Sequence, residues 1–86
     1  VVLRTGTPVS VTPHSAGEAL ASCNEGEIAT GGGVEGDNNA FTVNNTFPTG
    51  TGDGNPATGW QANAYNVTSS SENLTAYVLC APGSAT

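Results

Sequence analysis

Leu74-Thr75-Ala76-Tyr77-Val78-Leu79-Cys80-Ala81 reads as a β-strand with apolar groups on both sides. Successive strand side chains alternate, so Leu74, Ala76, Val78 and Cys80 share one face while Thr75, Tyr77 and Leu79 share the other. A strand that is apolar on both faces belongs in the middle of a structure. From there Cys80 reaches toward Cys23, the one other cysteine of the chain.

The rest of the chain supplies partners of the same kind. Trp60, Ala62 and Ala64 alternate with Gln61, Asn63 and Tyr65 across Gly59–Val67, which gives a half-buried strand with Trp60 as its anchor; Trp60, Tyr77 and Val78 are the expected core. Further strands are expected at Ala19–Cys23, at Glu27–Thr30 running on to Val34, and at Phe41–Phe47. Turns are expected at Asn24–Gly26, Glu35–Asn39, Pro48–Thr58 and Thr68–Asn73. Gly31-Gly32-Gly33 interrupts its strand and predicts a bulge or a close backbone approach; no lysine, nucleophile or helix start follows that would make it a phosphate cradle. No apolar pattern of period 3.6 runs for three turns, and the best short helix, Ser15–Ala21, is confined to about one turn by Pro13 and Gly17. The fold class is therefore all-β: a small, disulfide-stapled β-sandwich of short antiparallel strands with an extended N-terminal strand.

Length and composition set the same limits. The chain has 86 residues, room for one domain, and a domain of that size buries only about 60% of the surface that its unfolded chain exposes. Two distant cysteines in a short chain fit a disulfide in an oxidising compartment better than a metal site, the alternative being two buried free thiols. Closing that loop stabilises the fold by roughly 4 kcal/mol in the chain-entropy model. Arg4 is the only basic side chain beside seven acidic ones, for a net charge of −6. Nucleic acid and anionic lipid are thereby poor partners, because no basic patch replaces their counterions. Solubility rests on Ser, Thr, Asn and Gly, a composition that points to an extracellular or cell-surface protein. No apolar run approaches a membrane span, so membrane insertion is not expected. The start at Val1 without methionine reads as a processed or excised form.

Candidate chemistry is sparse. His14 beside Ser15 is the one histidine, and sequence neighbours rarely adopt the facing geometry of a nucleophile and its base. Glu25 with Glu27, and Glu35 with Asp37, are the closest carboxylate pairs and read as a solvated rim. Glu35-Gly36-Asp37-Asn38 and Asp53-Gly54-Asn55 offer oxygen ligands for calcium, but at a density that ordinary turns also have. The expectation is no enzyme, no catalytic residue, no metal and no cofactor. Asn44-Asn45-Thr46, Asn66-Val67-Thr68 and Asn73-Leu74-Thr75 match the acceptor pattern for N-glycans. Tyr65, Tyr77, Trp60, Phe41 and Phe47 offer an aromatic platform for sugar, in competition with the needs of the core.

Residues 1–13 read as an extended arm ahead of a single domain at 14–86. Val1, Val2 and Leu3 open it and Val9 and Val11 share one face further on. A terminus of this kind pairs with its own sheet or adds a strand to another copy; the second arrangement is heterologous and builds a fibre.

Ser22-Cys23-Asn24-Glu25-Gly26-Glu27-Ile28-Ala29-Thr30-Gly31-Gly32-Gly33, then Phe47-Pro48, Gly59-Trp60-Gln61-Ala62-Asn63-Ala64-Tyr65-Asn66 and Leu74–Ala81 resemble a domain that recurs in secreted bacterial and archaeal surface proteins. The resemblance covers nearly everything from Ser22 onward and implies a disulfide-linked β domain without catalytic residues. In plan the chain is also similar to prokaryotic fibre subunits joined by donor-strand complementation, such as archaeal threads and bundling pili. The function expected is a glycosylated structural subunit of an extracellular filament or surface layer, with copies of itself as partner through Val1, Val2, Leu3, Val9 and Val11. The alternative is a carbohydrate- or receptor-binding module of a larger secreted or phage appendage protein.

Overall fold

The computed structural model describes residues 1–50 and 54–83, and it is all-β apart from one short 3-10 turn. The strands are β1 (Val2–Thr5), β2 (Val9–Val11), β3 (Ala16–Ser22), β4 (Glu27–Gly36), β5 (Phe41–Gly50), β6 (Ala57–Asn66) and β7 (Glu72–Pro82). They form two antiparallel sheets packed face to face. In the first, β7 pairs with β4 along one edge and with β1 and then β2 along the other. In the second, β6 lies between β3 and β5.

β7 occupies the central place that its two-sided apolar pattern requires. Leu74, Ala76, Val78 and Cys80 are fully buried between the sheets. Facing them are Ala19, Ala21, Ala62 and Ala64, and Val11 seals one end. Six of the ten buried apolar residues are alanines, so the layer between the sheets is thin and contributes little apolar area per residue. The Cys23–Cys80 disulfide joins the end of β3 to β7, and hence one sheet to the other, with a Cα–Cα separation of 5.8 Å.

The glycines of β4 follow from this packing. The ladder to β7 shifts by one residue between Ala29 and Gly31, which places the expected bulge at Thr30. Gly32 points inward, and a Cβ there would lie 2.3 Å from Cγ and Cδ2 of Trp60. The indole therefore lies flat on bare backbone. Trp60 is half-buried and packs against the core from its side, as anticipated for an anchor.

Several expectations need correction. The helix expected at Ser15–Ala21 is instead strand from Ala16 onward, because Gly17, Ala19 and Ala21 alternate inward against Ala64, Ala62 and Trp60. β5 runs on through Pro48 to Gly50 instead of yielding to a loop at Pro48. It is an edge strand, where alternate N–H groups face solvent and a proline costs no ladder bond. Tyr77 is not a core residue: it lies on the outer face of its sheet, opposite in parity to Val78, and donates its hydroxyl hydrogen to Glu35 Oε1 at 2.6 Å. The arm pairs within its own chain, Val2–Thr5 against Tyr77–Cys80 and Val9–Val11 against Glu72–Leu74, and the Gly6 N–H bonds the Ala76 carbonyl between them.

Candidate functional site

The arm is the first feature that stands out. Val11 is buried in the core, and a Cβ on Gly17 would strike its methyl groups. Gly6 sits so close to the Leu20 carbonyl that no side chain fits there. The first residues are held differently. Val1 is 81% and Leu3 57% exposed, with Val2 also open, so β1 is docked by its backbone while its apolar side chains remain in water.

An ion pair completes that docking. Arg4 donates from Nε to Glu27 Oε1 at 3.2 Å and from a terminal nitrogen to Oε2 at 2.7 Å, which clasps β1 to β4 across β7. The Asn24 N–H donates to the same carboxylate. The Arg4 hydrogen bond, then the Asn24 N–H, hold the Glu27 carboxyl below its ordinary range, and the same bond raises Arg4. A Glu27 carboxylate oxygen and both disulfide sulfurs lie within 4.8 Å of one another. The sulfurs are bonded to each other, so this group is a clasp beside a disulfide rather than a set of metal ligands. Sequence reasoning placed Glu27 on a solvated rim; the signal for its role was that a lone cation in an acidic chain has its choice of partners.

The three sequons separate cleanly. Asn44 falls in the bulge of β5 between Val43 and Asn45 and is exposed; Asn73 is exposed on β7 opposite Ser10. Asn66 is 0% exposed. Its Nδ2 donates to the carbonyls of Val11 at 3.0 Å and Ser70 at 2.8 Å, and its Oδ1 accepts from the Thr68 N–H at 2.9 Å and the Thr68 hydroxyl at 2.7 Å. The expected glycan at Asn66 is therefore corrected: the nitrogen that would carry it is buried and fully engaged. Asn66-Val67-Thr68 matches the acceptor pattern because the threonine closes a turn on the asparagine.

The aromatics also divide. Trp60 and Phe41 turn inward, the latter onto Gly36, and Tyr77 lies on the outer face of the first sheet. Phe47 and Tyr65 share the outer face of the second sheet, at 37% and 38% exposure. Between them runs a linked polar row. Gln61 Nε2 donates to Glu18 Oε2 and to Asn63 Oδ1, each at 3.1 Å, and Asn63 Nδ2 donates to Asn45 Oδ1 at 2.8 Å. An open depression of about 380 Å³ adjoins it, lined by Ala16, Gly17, Glu18 and Asn63.

The remaining candidates are apart. His14 is exposed in a left-handed turn at φ 51°, and the Ser15 hydroxyl accepts from Thr12 and donates to the Pro13 carbonyl. Among the candidate calcium ligands, Glu35 is taken by Tyr77, and Asn38 donates to Glu72 at 2.8 Å; Asp53 lies outside the described residues. No described helix is long and apolar enough to cross a membrane.

Fold and surface together define a disulfide-stapled module of two antiparallel sheets with a clasped N-terminal arm. Comparison with protein-family models, with curated proteins and with solved structures returned no match.

Proposed function

We propose that the chain is a structural subunit of an extracellular filament or cell-surface layer, joined head to tail when the N-terminal strand of one copy pairs with β7 of the next. The observation that carries this reading is the mode of docking of β1: ladder bonds to the central strand, one ion pair, and Val1, Val2 and Leu3 left without cover. Strand exchange would re-form the same ladder and the same Arg4–Glu27 pair between copies, so it costs little in contacts, and a neighbour would bury the apolar side chains. Gly6-Thr7-Pro8 is the segment between β1 and β2 at which such an exchange turns, while Val11 stays in its own core. The disulfide between the sheets suits an oxidising compartment, which supports a place outside the cell. Asn44 and Asn73 offer exposed acceptors to a source that glycosylates them.

The test is a covalent trap. Leu3 and Leu79 are directly paired across β1 and β7. Leu3→Cys with Leu79→Cys, oxidised at high protein concentration, is expected to give a ladder of covalent oligomers on a non-reducing gel and filaments in the electron microscope. Removal of residues 1–5 should abolish both and leave a folded monomer. A trap that yields only internally bridged monomer, or filaments that persist without residues 1–5, rejects the arm's role.

A further inference from the structure

We infer that the outer face of the second sheet binds a short stretch of neutral polysaccharide. The register fixes what that face presents. Phe47 stands beside Gln61, and Asn45 and Glu18 stand on either side of Asn63, the next outward residue of β6; Tyr65 follows one step further. Phe47 and Tyr65 are therefore separated by about 13 Å along the strand, four residues at roughly 3.3 Å each. An oligosaccharide spans that distance, whereas a single sugar ring does not.

Each row matches one part of a saccharide. The exposed ring faces of Phe47 and Tyr65 suit the C–H faces of sugar rings. The polar row between them suits hydroxyls, which both donate and accept. Its members are held by one another, from Glu18 through Gln61 and Asn63 to Asn45, so little side-chain entropy remains to be lost on binding. The Asn45 amide nitrogen, the Gln61 carbonyl oxygen and the second Glu18 oxygen have no protein partner among the described residues and point the row's spare capacity outward.

Charge selects among saccharides. The row contains a carboxylate and no cation, the lone basic side chain being engaged with Glu27 on the other sheet, and the chain carries a net charge of −6. Uronic or sulfated chains are repelled, and neutral ones are not. An extended peptide would instead seek the main-chain groups of an edge strand, which this face of side chains does not offer.

The experiment is a ¹H–¹⁵N NMR titration of the intact, disulfide-closed chain with four neutral hexasaccharides, of cellulose, laminarin, mannan and chitin type, and with an oligogalacturonate as the charged comparison. At least one neutral hexamer is expected to give saturable shifts confined to amides of β3, β5 and β6. Phe47→Leu and Tyr65→Leu, which keep an apolar side chain but remove the ring, should each weaken binding roughly tenfold with the amide spectrum otherwise preserved. Gln61→Ala should weaken it as well, and Tyr77→Phe on the opposite sheet should not. The chain lacking residues 1–5 should bind unchanged, so that loss of filaments and loss of sugar binding are read separately. Absence of shifts with every neutral hexamer, equal binding of the charged one, or shifts centred on β1, β4 and β7 would overturn the assignment. Concentration-dependent shifts on this face without any sugar would identify a second copy as its occupant and overturn it too.

Discussion

Replacing Asn66 by aspartate changes one NH2 group into an oxygen at the most completely bonded side chain in the fold. In the folded chain that group donates to the carbonyls of Val11 and Ser70. The Thr68 hydroxyl lies 3.0 Å from Ser70 O, but its single hydrogen goes to Asn66 Oδ1 at 2.7 Å, so both carbonyls lose their side-chain donor. The new oxygen would also face two acceptors with a negative charge in a site of 0% exposure. Two lost hydrogen bonds and an unpaired buried charge together cost about 4 kcal/mol, a large part of the 5–15 kcal/mol typical of a whole domain. For a chain of this size that corresponds to a fall in Tm of roughly 16–32 °C. The introduced carboxyl is driven to a pKa above the ordinary value of about 3.9 in the folded state. The sign follows: the folded chain binds the extra proton more tightly, so the deficit is smallest below about pH 3.9 and grows as pH rises through the folded-state value. Asn66→Ala loses the same two bonds and also the two that Oδ1 accepts from Thr68, but introduces no titrating group and should show no such recovery in acid. Thermal melts of wild type, Asn66→Asp and Asn66→Ala at acid and neutral pH, compared as differences from wild type, measure this. A cost below about 1 kcal/mol for both variants, or parallel pH profiles, would refute the role given to Asn66.

Gly32→Ala forces a methyl group into the Trp60 indole and should destabilise by about 1–3 kcal/mol in denaturant unfolding, with a shift in tryptophan emission; an unchanged spectrum would show that the ring does not lie on that glycine. Cys23→Ser with Cys80→Ser removes a closure of 57 residues and should cost about 4 kcal/mol, measured as a lower urea midpoint. Glu27 has a depressed folded-state pKa, caused first by the Arg4 hydrogen bond, so its contribution is present above the unfolded carboxyl value of 4.5 and is lost as pH falls through the folded one. Hydrogen exchange in Val2–Thr5 should consequently accelerate in acid relative to β6, after correction for intrinsic rates, and Glu27→Gln should reproduce that loosening at neutral pH. Peptide mass analysis of folded material secreted from a glycosylating host should find glycan at Asn44 or Asn73 and none at Asn66; occupied Asn66 in folded protein would contradict the burial argument.

Strand-level features were legible wherever burial alternates with a period of two. Leu74–Cys80 announces a central strand, and the bulge beside Gly31 follows from a run of glycines that a stiff ladder avoids. Boundaries failed where a residue's local preference met an edge or a small-residue face: Pro48 is harmless on β5, and Gly17 is needed beneath Val11. Of the candidate site, the arm was visible as an apolar start, but the Arg4–Glu27 clasp and the fully bonded Asn66 were not. The clasp depends on a partner 23 residues away, and the burial of Asn66 on the Val11 carbonyl 55 residues away; its bonds to Thr68 and Ser70 are local, but a local window does not encode the distant one.

By itself the amino-acid order determined that this protein is an all-β domain with one basic side chain and two cysteines, since strand alternation, turn residues and composition are local properties. Only the tertiary structure decided which asparagine is buried, which aromatics share an outer face and where the arm lies. Those are questions of register between distant strands, and a shift of one residue would have reversed every answer.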